Sequence, residues 1–364
     1  MFSLNQKISV RQLQVLSILH VFGAGIIMLP RQAAAYGGQD AWIIVLLAAC
    51  AALIFTYLMA TVGRKFPADS FVSMTARLLS APVGKCLAVL LALKLILSCG
   101  LALRLFSDIL RQTMMRNTPC FVVCAAMGAV GAYTAAKGYE TRARMAQILF
   151  PLILLPVLIV FCLAAFEADF SNLKPVFSTP PRDMFMGVFR SSAAFNGLEL
   201  ILLIHPYARR PDGVRKGLMQ AMIFSGVLMA LITGITIARL GAIDVTRQLW
   251  PVLEMMGLID LPGSFIDRQD ALVMSFWILS TFAVVNCELF FSALLFKDTV
   301  GKGKHAYYII ACLAAILVIS FLPLSAERVN QIQTWLYSTL DVGFMAVLPI
   351  LLLAAAKIRK IGGA

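Results

Sequence analysis

Ten stretches, each long and apolar enough to cross a bilayer, leave this chain few folds to choose from. They run over 9–31, 40–62, 83–111, 118–136, 146–168, 185–207, 217–240, 271–296, 305–323 and 334–356. A span needs about 20 predominantly apolar residues. Lipid cannot satisfy backbone N–H and C=O groups, so the spans must be helices or a closed barrel, and runs of this length are helical. With 60% hydrophobic and 13% charged residues and a mean hydropathy of +0.88, a soluble globular fold is excluded. Helical periodicity is weak in most segments, as expected when lipid surrounds much of each helix. Connections are short except 63–82 and 241–270. Residues 1–364 therefore read as one polytopic membrane domain, all-α, with 241–270 as an external loop.

The net charge of +13 could suggest nucleic acid, but the basic residues are not interleaved with stacking aromatics. They alternate between loops. With the N-terminus in the cytoplasm, the larger share falls inside, from Lys7 and Arg11 through Arg64, Lys65, Arg142, Arg209 and Arg210 to Lys357 and Arg359. Trp42, Trp250 and Trp335 then map to the outer interface and Tyr57, Tyr307 and Tyr308 to the inner one. Both signals put the N- and C-termini in the cytoplasm and require an even number of helices. Lys7 and Arg11 before the first segment, with Ala33-Ala34-Ala35 after it, resemble a signal peptide. The apolar stretch is too long for one, and nine more spans follow, so the first helix is expected to be retained. The eight cysteines lie mostly inside predicted helices without a CxxC pair, and the three histidines are scattered. No metal site and no cofactor is expected.

Two of the predicted helices are interrupted. The first breaks at Gly23-Ala24-Gly25 and ends at Pro30-Arg31; the sixth breaks at Asn196-Gly197 and ends at His205-Pro206. Being five spans apart, they cross in opposite directions. Equivalent breaks in oppositely oriented helices predict a five-plus-five inverted repeat, residues 9–168 against 185–356, with a site between them near mid-membrane. Glycines that only permit close helix packing are the alternative. Free amides near Gly25-Ile26 suit a carboxylate, and free carbonyls near Phe22 and Phe195 suit an ammonium. The expected ligand is a small amino acid. Candidate binding residues are Gly23, Ala24, Gly25, Ile26, Phe195, Asn196 and Gly197, with Leu101, Phe276, Thr281 and Asn286 as walls from helices three and eight.

Lys94, Arg104 and Asp108 on helix three, Arg190 and Glu199 on helix six, and Glu288 on helix eight are intramembrane charges. Such groups are rare and usually face the bundle interior. Arg104 and Asp108 can pair at i,i+4; by depth, Lys94 matches Glu199 and Arg190 matches Asp108. The network reads either as a proton or cation relay centred on Glu199 or as an ion pair locking helix three to helix six. His20 and His205 read as interior side chains, with a pH-sensing role for His205 the weaker option. The 241–270 stretch carries balanced charges, from Asp244, Arg247 and Glu254 to Asp260, Asp267, Arg268 and Asp270, and reads as partly solvated.

Several short motifs occur in a familiar order: Ile8-Ser9 with Arg11-Gln12, Gln39-Asp40-Ala41-Trp42, Phe66-Pro67, Gly138-Tyr139-Glu140, Asn172-Leu173-Lys174-Pro175, Gly197-Leu198-Glu199, Trp250-Pro251-Val252-Leu253-Glu254 and Ile266-Asp267-Arg268. Together they resemble the spore germination permeases, the B-type subunits of germinant receptors. The resemblance implies an amino acid/polyamine/organocation-type fold, residence in the spore inner membrane, and a complex with A-type and C-type receptor subunits. Some proton-coupled relatives carry a lysine in helix five; 146–168 has none. Three functions remain open: a receptor subunit that binds a nutrient germinant at the broken helices and signals through partners, a secondary amino-acid transporter using the same site, or a channel or scaffold subunit. No hydrolytic, phosphate-cradling or redox motif supports an enzyme.

Overall fold

The computed structural model describes residues 7–258, 269–322 and 326–359, apart from the side chains of 24, 269–273, 326–327 and 330. Expectations for Asp260, Ile266-Asp267-Arg268, the Asp270 side chain and the Ala24 side chain lie outside the described residues.

Helix α1 (Val10–Gly25) starts where Ser9 caps it: the Ser9 hydroxyl accepts from the Gln12 amide, and the Gln12 side chain accepts from the Ser9 amide. It stops in a turn at 26–28, and α2 (Leu29–Gly37) continues the path. The first segment thus extends past Pro30-Arg31. Pro30 occupies the first turn of α2, where its missing N–H disturbs nothing. Next come α3 (Ala41–Lys65), the short α4 (Phe71–Leu78) within the 63–82 connection, α5 (Ala81–Thr113), α6 (Cys120–Ala136) and α7 (Tyr139–Phe166).

The sixth segment is α8 (Pro181–Ser191), a tight turn through Phe195, the break at Asn196-Gly197, and a short stretch containing α9 (Ile201–Ile204). Its two halves meet at 50°. Helix α10 (Pro211–Leu240) leads to α11 (Ala242–Arg247) and α12 (Pro251–Gly257), so the described part of 241–270 is largely helical. Three further elements follow: α13 (Gln269–Val300), α14 (His305–Phe321), and a last span built from α15 (Ala326–Leu336) and α16 (Leu348–Ile358). Wide π-type turns over 337–341 and 343–347 join α15 to α16. Among the described residues, six helical stretches are long and apolar enough to span a membrane, and the bent sixth segment makes a seventh; α6 and α14 are shorter.

The packing shows the internal symmetry. Helix α3 lies along α10, α5 along α13 and α6 against α14, so each pairs with the helix five spans later. Among the described residues the fold is an all-α membrane bundle of the inverted-repeat kind, with discontinuous first and sixth helices. Loop contacts sort onto two faces. On one, Ile8 bridges Ala208, its amide donating to the Tyr207 carbonyl at 2.7 Å, and Arg359 donates to the carbonyls of Arg77 and Leu79. On the other, Arg239 pairs with Glu167 at 2.5 Å, and Asp40 accepts from the amides of Phe177 and Thr179. Both ends of the described chain therefore share one face.

Candidate functional site

Both interrupted helices meet the centre of the bundle. At Asn196-Gly197 the backbone turns back on itself: Gly197 has φ +90°, a left-handed conformation that favours glycine, and a Cβ there would overlap the His20 ring. In the first helix the interruption falls at Ile26–Met28, later than Gly23-Ala24-Gly25, which remain helical. Gly23 and Gly25 serve close packing instead. A Cβ on Gly25 would approach the Ala194 backbone to 2.8 Å, and one on Gly23 the Ser280 hydroxyl to 2.7 Å. The amides that α2 leaves free are accordingly those that follow Ile26.

A cavity of about 60 Å³ lies at these breaks, room for about four waters at roughly 15 Å³ each. Of the candidate binding residues, Gly23, Gly25, Ile26, Asn196 and Thr281 line it, joined by Ser98, Glu288 and Tyr337. Five others lie elsewhere. Leu101 is buried away from the cavity, and Ala102 and Leu105 supply the wall of α5. Asn286 donates to the Thr134 hydroxyl at 2.6 Å and ties α13 to α6. Phe195 belongs to the hydrophobic core, and Gly197 faces His20 in a separate small cavity. Phe276 lines an apolar cavity on the far side of Ile26 and Trp277.

The charged groups converge beside this cavity. Lys94 Nζ contacts Glu199 Oε1 at 2.5 Å, Asp341 Oδ1 at 2.6 Å and Asn196 Oδ1 at 2.6 Å. Glu288 accepts from Ser98 Oγ at 2.9 Å, and the Asn196 amide reaches the same hydroxyl at 3.4 Å. Lys94, Glu199, Glu288 and Asp341 are each at most 3% exposed. Two carboxylates thus share one ammonium, with Glu288 held by Ser98 beside them, and among the described residues Glu199 Oε2, Glu288 Oε2 and Asp341 Oδ2 have no protein donor. Such a cluster is held only by good geometry around its cation, and Glu288 stands on the cavity wall beside it.

Asp341 is absent from the charges read off the sequence, although it falls inside the predicted span 334–356 and the rule that flagged the others covers it. The π-type turn at 337–341 supplies the rotation that aims it at Lys94. Arg104 pairs with Asp108 at 3.0 Å. Arg190 does not approach Asp108: it lines a second, larger cavity with Arg31, because the helix turns α8 toward α2.

The face that carries the N-terminus is closed beneath this site. Beside the Ile8 bridge, Lys7 Nζ donates to the Pro206 carbonyl at 2.7 Å. Tyr139 stacks on Tyr207 with centroids 4.6 Å apart, and the buried Arg142 guanidinium lies over the rings of Tyr139, Phe290 and Phe291. His205 Nδ1 donates to the Ile201 carbonyl (2.9 Å), an interior role within its own helix.

Comparison with known proteins agrees with this architecture. Residues 7–329 match a family model described as spore germination protein. Spore germination protein YndE of Bacillus subtilis is 24% identical, covering 100% of this chain and 99% of its own length. Spore germination protein KB of the same organism is 27% identical, with 97% of this chain and 95% of its own length covered. Among solved structures, MHP1, a nucleobase-cation-symport-1 family transporter in a closed conformation with bromovinylhydantoin bound, superposes with a TM-score of 0.65 at 12% identity, over 96% of this chain and 78% of its own. MhsT in complex with L-phenylalanine gives 0.65 at 15% identity, over 96% and 91%. The extent of the family match, together with a transporter fold broken at its first and sixth helices, makes this chain a member of the spore germination permease family, a multi-pass protein of the spore inner membrane.

Proposed function

We propose that this protein is the membrane subunit of a germinant receptor and binds a small zwitterionic nutrient, an alanine- or valine-sized amino acid, at the breaks of its first and sixth helices. The observation that carries this reading is the cavity wall itself. It presents the turn at 26–28 that opens α2 on one side and the Glu288 carboxylate on the other. A ligand carboxylate would sit at the start of α2, where unpaired amides favour an anion. Its ammonium would meet Glu288 Oε2, which has no protein donor. At about 60 Å³ the cavity suits a small ligand that tightens the site as it binds. Binding then shifts a conformational equilibrium only through unequal affinity for two states, and the two halves of each broken helix are elements that can move apart.

In this reading residues 9–168 and 185–356 are the two repeats, the terminal face is cytoplasmic, and A-type and C-type subunits receive the signal without any enzymatic step. The Lys94 cluster holds α5, the sixth segment and the last span in register around the site. The test uses radiolabelled L-alanine with the purified protein in proteoliposomes. Saturable binding that Glu288→Gln weakens about tenfold or more, the scale of one charge-assisted hydrogen bond, is the expected result. Binding unaffected by that change would refute the site. Concentrative uptake, rather than binding alone, would favour the transporter reading.

A further inference from the structure

Beside the small cavity lies one of about 640 Å³, between α2, α3, α8 and the π-turn segment of the last span. Ligand sites typically measure about 300–1,000 Å³. The two cavities share Met28, Gln32, Ala193 and Tyr337, so they adjoin. The larger one is mainly apolar but carries two guanidinium groups, Arg31 from α2 and Arg190 from α8. Arg31 Nε donates to the Thr246 carbonyl at 3.3 Å. Arg190 Nε is buried without a protein acceptor among the described residues. None of the ion pairs among the described residues involves either arginine. An intramembrane arginine is normally paired or faces a polar cavity, and this one faces a cavity whose wall is mostly apolar, with Gln32, Ser338 and Asp341 among its polar groups.

The groups that would complete this wall are an anion for the forked guanidinium donors and an apolar body for the rest. Asp341 on the same wall turns its Oδ1 to Lys94, 2.6 Å away, and forms no ion pair with either arginine. Depth argues against a lipid headgroup. Arg31 stands three residues past the first break and Arg190 six before the second, which at about 1.5 Å per residue puts both roughly 5–9 Å from mid-membrane. Headgroups begin about 15 Å from it. We infer that the larger cavity is a second ligand site, for a small organic carboxylate with an apolar body, anchored on Arg190 with Arg31 beside it. Its occupant braces α2 against α8, the two half-helices that frame the small cavity.

The test is calorimetric titration of the full-length protein in phosphatidylcholine nanodiscs with hexanoate and with hexanamide, which has the same shape and no charge. Saturable hexanoate binding is expected, with hexanamide at least about tenfold weaker. Arg190→Gln should weaken hexanoate to a similar degree, and Arg190→Lys should retain part of the affinity. Ala51→Phe, which fills the cavity from α3 without touching a charge, should also weaken it. Glu288→Gln should leave it unchanged, which separates this site from the proposed amino-acid site. No saturable hexanoate binding, equal affinity for hexanamide, or indifference to both Arg190→Gln and Ala51→Phe would overturn the inference. Loss of hexanoate binding on changing to phosphatidylglycerol would overturn it in favour of a lipid anion.

Discussion

Replacing Lys94 by methionine removes the one cation from between two buried carboxylates, while nearly preserving side-chain length. In the structure its ammonium holds Glu199 at 2.5 Å and Asp341 at 2.6 Å, with the side chains at most 4% exposed. Taking one partner from a buried pair costs about 3–5 kcal/mol, because the abandoned charge stays desolvated. Two pairs share the cation here and neighbouring effects do not add, so Lys94→Met should destabilise by about 4–6 kcal/mol. At roughly 2 °C per kcal/mol for a chain of this size, the unfolding midpoint should fall by about 8–12 °C.

The protein carries its own probe for this experiment. Cys99, Cys124, Cys287 and Cys312 are buried free thiols, so a fluorogenic maleimide labels them only as the bundle opens. Lys94→Met combined with Glu199→Gln and Asp341→Asn strands neither of the carboxylates that Lys94 touches, and should recover most of the loss, ending within about 2 kcal/mol of the parent. A single variant that melts within a degree of the parent, or a triple variant no better than the single, would refute the reasoning. The same triple variant separates two roles for the cluster: germinant response retained marks a clamp, and response lost in a folded protein marks a relay.

Two further substitutions probe the break and the outer face. Gly197→Ala should cost more than Gly241→Ala, since both need a positive φ but only Gly197 abuts another side chain, the His20 ring. The expected difference is about 2 kcal/mol or more, read as the gap between the two thiol-labelling midpoints; equal midpoints would contradict it. Asp40→Ala removes the acceptor for the amides of Phe177 and Thr179 and for the Thr179 hydroxyl. It should loosen the 174–180 connection by about 2–3 kcal/mol, seen as faster proteolytic cleavage there in the folded protein, with Asp40→Asn intermediate. Unchanged cleavage would show that this connection is held by other contacts.

The sequence by itself determined most of what depends on depth in the membrane, although the first break lies one helical turn later than its glycines. A bilayer imposes a single coordinate along its normal, and apolar length, basic loops and intramembrane charges all report position along it. That is why the helical segments, the break at Asn196-Gly197 and the common level of Lys94 and Glu199 could be read from residue order. Azimuth is another matter. Helices apolar on every side give no 3.6-residue signal of which face meets which neighbour, so Leu101 was indistinguishable from Ala102, and Asn286 from a cavity-facing residue. Only the packed bundle decided that Asn286 turns to Thr134, that Arg190 turns to Arg31's cavity rather than to Asp108, and that a π-type turn swings Asp341 onto Lys94. Rotation about a helix axis is fixed by contacts with other helices, and those contacts exist only once the bundle has closed.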